Sequence, residues 1–163
     1  DHKTTEINAA ASLKSVMKKL FPQIKDSSVL ITYGKLPKVV INNERLEEIF
    51  QSLINHSIKS RRGVHPRIHI SSDENESEYI FLLQENGKGN DETLFNENTG
   101  NDDNPDISDL KQFKKLVEEI DGEVWVNSFP NVGSIFYFTI PKERLSGNKR
   151  KNVSNKKIRD RIN

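Results

Sequence analysis

The side chains able to do chemistry are spread thinly along this chain. There are four histidines, His2, His56, His65 and His69, and no cysteine, which excludes thiolate chemistry and disulfides. No cluster of His, Asp and Glu has zinc spacing. No Gly-x-Ser-x-Gly or P-loop pattern is present. Serines, histidines and aspartates occur, but nothing in their order converges them. Two glycines, Gly87 and Gly89, follow Glu85 at the end of an apolar run and allow close approach of the backbone. An acidic stretch carries Asp102, Asp103, Asp106 and Asp109. It reads as a solvated loop, with Asp106 or Ser108 capping the next helix. The C-terminal stretch carries Lys149-Arg150-Lys151, Lys156-Lys157, Arg159 and Arg161. Such a run meets nucleic acid or anionic lipid in some proteins. Without interleaved aromatics it reads here as a solvated tail.

Charge supports that division. The 163 residues carry a formal net charge of +1. From Lys142 to the end, nine Lys or Arg stand against Glu143 and Asp160, leaving the tail near +7 and the rest near −6. The body alone would not attract nucleic acid. Hydrophobic content of 33% and charged content of 30% permit one modest core under a well-solvated surface. The longest apolar runs, such as Tyr79 to Leu83, are too short to span a membrane. The expected compartment is the cytoplasm.

The elements that must position these residues follow from periodicity. Ile7 to Phe21 reads as a helix, with Leu13, Val16, Met17 and Leu20 at helical spacing and Pro22 as its end. Ser28 to Tyr33 and Val39 to Ile41 read as strands around a turn at Gly34 and Pro37. Glu44 to Lys59 is the clearest helix. Leu46, Ile49, Phe50, Leu53, Ile54 and Ile58 form one stripe, with Asn42 or Asn43 as cap. Arg67 to Ser71 and Glu78 to Gln84 read as a hairpin. From Glu85 to Asp109 the pattern dissolves into a long polar segment, the mark of a lid or insert. A helix follows from Ile107 or Ser108 to Ile120, then a turn at Asp121-Gly122. Glu123 to Asn127 and Ser134 to Ile140 form a closing hairpin. The expected fold is an α+β two-layer sandwich, a mixed β-sheet with helices on one face. The expected organisation is an N-terminal helix and lead-in over 1–27, a main domain over 28–141 with a loose lid at 86–107, and a disordered basic tail over 142–163.

Three segments, in order and at matching spacing, carry a resemblance to the ATP-binding domain of sensor histidine kinases in the GHKL superfamily. Leu36 to Lys59 resembles the N-box with its lead-in strand. Glu85-Asn86-Gly87-Lys88-Gly89 is similar to the Asp-x-Gly-x-Gly of the G1 box. Gly122 to Ser128 with Gly133 to Pro141 looks like the family's last hairpin, especially as in bacteriophytochrome-type kinases. The resemblance covers roughly residues 7 to 141.

The resemblance implies an ATP and Mg²⁺ site and shows where this chain departs from it. The family's N-box asparagine ligates Mg²⁺. The aligned residue here is His56, a poor ligand for a hard cation. Asn55 is the nearby amide oxygen and the candidate metal ligand, although one helical step turns it about 100° away. Lys59 matches a lysine that can contact phosphate. Glu85 stands where an aspartate reads the adenine amine, and reaches about one carbon bond further. Gly87 and Gly89 persist. The glycines of the G2 box, whose amides wrap the phosphates, are replaced by Ile107-Ser108-Asp109-Leu110. Trp125, Phe136 and Phe138 read as core or sheet-face aromatics. No histidine here sits in the phospho-acceptor pattern, so the acceptor is expected to lie before Asp1.

Cofactor-binding candidates are thus Asn55, His56, Lys59, Glu85, Gly87 and Gly89. The expected function is a degenerate ATP-binding domain of a two-component sensor kinase, acting as a signalling or scaffold module with weak or no ATP binding. The alternative is an active kinase domain that binds Mg-ATP and phosphorylates a histidine on another segment. Expected partners are a response regulator, other segments of a longer kinase, and a second copy through a helical region. Nucleic acid is not an expected partner.

Overall fold

The computed structural model describes residues 4–63, 65–92, 95 and 107–143. Most of the expected lid and nearly all of the basic tail lie outside these residues, as does Asp106.

The elements run β1 (Thr5–Asn8), α1 (Ala9–Lys19), α2 (Phe21–Ser27), β2 (Leu30–Tyr33), β3 (Lys38–Ile41), α3 (Asn43–Lys59), β4 (Arg67–Glu74), β5 (Glu78–Glu85), α4 (Ser108–Glu118), β6 (Val124–Phe129) and β7 (Gly133–Pro141). A five-stranded mixed sheet has the order β2-β4-β5-β7-β6. Only β2 and β4 pair in parallel; the other pairs are antiparallel. The α+β sandwich expected from the sequence is therefore the observed fold.

Three local expectations need correction. Residues 5–8 are extended and pair antiparallel with β3, forming a small second sheet. The first helix does not run to Phe21. It ends at Leu20, and Pro22 lies in the opening turn of α2, where its fixed φ and missing N–H cost nothing. Ser108 does not cap α4; the cap position is Ile107, with no side-chain hydrogen bond.

Alternation along the strands sorts the sheet into two faces. Ile68, Ile70, Phe81, Leu83, Phe136, Phe138 and Ile140 are buried with the apolar stripes of α1, α3 and α4. Phe81 and Phe138 stack at 4.9 Å, and Phe50 of α3 meets each edge-on at 6.0 Å. Aromatic pairs of this kind add about 0.5–1.5 kcal/mol beyond their buried area. Trp125 stacks on Tyr137 on the opposite face, at 4.8 Å. Asn42 caps α3 by accepting from the Arg45 amide at 3.0 Å. The start of α3 is tied to α1 by Ser12 Oγ donating to Asn43 Oδ1 at 2.6 Å and by Lys19 to Glu47 at 2.6 Å. The last turn of α3 lies against β7, where the His56 ring meets Phe136 edge-on at 5.7 Å.

Candidate functional site

Glu85 ends β5 and pairs in register with Ser134 of β7. Its side chain points toward the helices, as strand alternation from Phe81 and Leu83 requires. It is 5% exposed. Glu85 Oε1 accepts from the Ser134 amide at 2.7 Å and the Gly87 amide at 3.3 Å. Glu85 Oε2 is buried and has no hydrogen-bond partner among the described residues. Burial, and then the nearby negative charge of Asp91, push the Glu85 carboxyl up to about 7.

Gly87 lets the chain fold tightly beside that carboxylate. A Cβ at residue 87 would lie 2.6 Å from Glu85 Oε2 and 2.9 Å from the Ser60 carbonyl. Gly89 adopts φ +76°, and a Cβ there would fall 2.0 Å from the Phe129 carbonyl. The loop is thus pressed onto the β6–β7 turn, where the Asn131 amide donates to Lys88 O at 3.0 Å.

The loop then delivers Asp91, which is fully buried. Asp91 Oδ1 meets His56 Nε2 at 2.5 Å, and Asp91 Oδ2 accepts from Ser134 Oγ at 2.6 Å. Burial works to raise the Asp91 pKa. The His56 hydrogen bond and charge, with the Ser134 hydroxyl, outweigh it and hold the carboxyl below its usual range. Phe136 packs edge-on to the His56 ring at 5.7 Å. Serine, aspartate and histidine do converge here, but in the wrong order for nucleophilic catalysis. Aspartate stands between the other two, so the imidazole does not contact the serine.

His56, Glu85 and Gly87 are therefore brought together, joined by Asp91 and Ser134. Lys59 lies at the exposed end of α3 and binds Asp109 Oδ2 of α4 at 2.9 Å. Asn55 is half-buried, and its amide makes no hydrogen bond among the described residues.

Two groups implied by the resemblance can be tested against this geometry. An adenine amine fits Glu85 Oε2, a buried acceptor with nothing to accept. The Ser57 and Ser60 hydroxyls are also buried and unpaired among the described residues. A magnesium ion does not fit at His56. The imidazole is 2% exposed and already bonded, and both Asp91 oxygens are engaged. Redirecting His56 would leave the buried Asp91 carboxylate without that partner, at about 3–5 kcal/mol.

Asp91 and Ser134 were not among the candidates from sequence. The available signal was His56 itself. It lies three residues after Leu53, on the stripe side of α3, and a buried polar ring requires a partner.

A family model described as histidine kinase-, DNA gyrase B-, and HSP90-like ATPase matches residues 41–144. The chain is 32% identical over 161 residues to cyanobacterial phytochrome A of Nostoc sp., covering 91% of this chain and 21% of that protein. It is 32% identical over 127 residues to phytochrome-like protein Cph1 of Synechocystis sp., covering 73% of this chain and 17% of that one. The chain spans about a fifth of the length of these curated relatives. Among solved structures, the catalytic domain of histidine kinase ThkA matches with a TM-score of 0.70 at 19% identity, covering 87% of this chain and 99% of that one. Full-length ShkA in complex with AMPPNP gives 0.71 at 16% identity, covering 90% and 33%. ThkA in complex with response regulator protein TrrA gives 0.69 at 18% identity, covering 88% and 43%.

Proposed function

Since this chain belongs to the histidine kinase-, DNA gyrase B-, and HSP90-like ATPase family, we propose that it is the nucleotide-pocket module of a sensor histidine kinase that has given up Mg²⁺-dependent ATP chemistry and serves as a signalling or scaffold module. The observation that carries this reading is the closed set of bonds from His56 to Asp91 to Ser134. It occupies the metal-ligand position of the N-box with a hydrogen-bonded pair of the chain's own. Two further features support it. Lys59, the candidate phosphate contact, is paired with Asp109. The first turn of α4 carries Asp109 where the family's glycines would leave amides open to phosphate.

In this reading Glu85, Gly87 and Gly89 hold the loop, and Glu85 retains the means to accept a base amine. The pocket keeps a place for adenine without a place for the metal. ATP therefore binds weakly or not at all. Partners are a response regulator or other segments of a longer kinase, and a second copy meeting through a helical region. The compartment is cytoplasmic. Among the described residues no helix is long and apolar enough to cross a membrane.

A second reading is favoured by the Asn55 amide and Glu85 Oε2, which have no hydrogen-bond partner among the described residues. In it the domain is an active kinase whose metal is held by Asn55, and it transfers the γ-phosphate to a histidine on another segment. Radiolabelled phosphotransfer from γ-labelled ATP to a histidine-bearing segment supplied in trans separates the two. The scaffold reading expects no labelled histidine. Acid-labile label on that segment would reject it.

A further inference from the structure

The sheet face turned away from the helices carries a second groove, which adjoins the nucleotide pocket at Glu85 and Ser134. Register aligns Thr32, His69, Gln84 and Ile135 in one row across β2, β4, β5 and β7. Nearer the strand ends, Leu30 lies beside Arg67, and Phe129 lies opposite Gly133. Gly133, at φ +150°, contributes no side chain there, and a Cβ would lie 2.0 Å from the Glu85 carbonyl. These residues line a groove of about 430 Å³, within the size range of small-molecule sites.

The chemistry of its lining is specific. Leu30, Phe129 and Val132 are 58%, 51% and 65% exposed. They line the groove together with Ile135, giving it apolar surface. Arg67 lines it with a guanidinium that has no acidic partner among the described residues. Glu85 also borders the groove, and its Oε1 accepts from the Gly87 and Ser134 backbone amides. His69 Nδ1 shares a 2.7 Å hydrogen bond with Thr32 Oγ1. That fixes the ring and leaves Nε2 as its remaining polar atom. Gln84 adds an exposed amide to the same row.

We propose that this groove binds a small, flat carboxylate with an apolar body. The carboxylate pairs with the Arg67 fork, His69 and Gln84 orient it, and the ring lies against Phe129 and Val132. A planar guanidinium takes a carboxylate bidentately, which a point charge does not. Exposed apolar walls beside an unpaired cation favour an amphipathic anion over a bare one.

The test is a ¹H–¹⁵N NMR titration of the 163-residue chain with 2-naphthoate, beside its neutral counterpart 2-naphthylmethanol and inorganic phosphate. The expected result is saturable shifts centred on Arg67, Gln84, Val132 and Ile135. Affinity for 2-naphthoate should fall at least tenfold in Arg67→Gln, and 2-naphthylmethanol and phosphate should each bind at least tenfold more weakly. Arg67 is exposed, so the variant is expected to fold, and its spectrum checks that directly. The proposal is overturned if no saturable shifts appear at these residues. Equal affinity of Arg67→Gln and the native chain would overturn it too, as would equal binding of the neutral alcohol or of phosphate.

Discussion

His56 Nε2 and Asp91 Oδ1 stand 2.5 Å apart, with side-chain exposures of 3% and 0%. They come from elements 35 residues apart in the chain. This contact ties the loop after β5 to the last turn of α3, and Ser134 extends it into β7. A pair this buried is expensive to break by halves.

Asp91→Ala should therefore destabilise the fold strongly. It leaves the His56 ring and the Ser134 hydroxyl buried without their partner. The expected loss is about 3–5 kcal/mol. For a domain of this size that lowers Tm by roughly 10 °C. Asp91→Asn keeps an acceptor for one of the two donors and should lose less. Thermal unfolding reads both variants. A drop of under about 2 °C in Asp91→Ala would mean that the pair does not hold the loop.

Glu85 sets a pH dependence of its own. Its carboxyl is pushed up from an ordinary 4.5 to about 7 in the folded chain. Between those values the unfolded chain has lost a proton that the folded chain still holds. Stability is thus full below pH 4.5 and declines as pH rises toward 7. The loss attributable to this group is about 3 kcal/mol. Glu85→Gln keeps an oxygen for the Gly87 and Ser134 amides and removes the titration. Denaturant unfolding at pH 5 and pH 8 should show the native chain weakening between the two and the variant weakening less. Equal slopes would contradict the assignment. Asp91, held below its usual range, acts only in acid, where stability falls as pH drops through its lowered pKa.

The glycine loop offers a steric test. Gly89→Ala places a methyl 2.0 Å from the Phe129 carbonyl at a φ of +76°. The backbone strain alone costs about 1–3 kcal/mol. Gly34→Ala meets nothing within 4 Å and serves as the control. The first substitution should lower Tm by several degrees and the second by little. Equal effects would mean that the loop is not pressed onto the β6–β7 turn.

Much of this fold is legible in the residues because its periodicities are strong. The stripe of Leu46, Ile49, Phe50 and Leu53 marks α3, and the alternation through Phe136 and Phe138 marks β7. Thr5 to Asn8 is not legible as a strand. Only Ile7 is even partly buried there, and its partner β3 supplies what regularity it has. Pro22 misleads because the same ring that ends one helix can begin the next. The glycines of the loop and Glu85 are readable as a turn and a carboxylate. Asp91 is not, because an acid in a polar stretch looks solvated until the fold brings His56 to it. Pairing between distant segments is a tertiary fact, and composition does not encode it.

The central claim is that the pocket has exchanged its metal for an internal hydrogen-bonded pair, His56 and Asp91. Calorimetric titration of the chain with a non-hydrolysable ATP analogue, with and without Mg²⁺, tests it most directly. The expected result is no measurable heat, or binding weaker than about 1 mM that Mg²⁺ does not strengthen. Micromolar binding, about −8 kcal/mol, that depends on Mg²⁺ would contradict the claim and restore the active-kinase reading with Asn55 as the metal ligand.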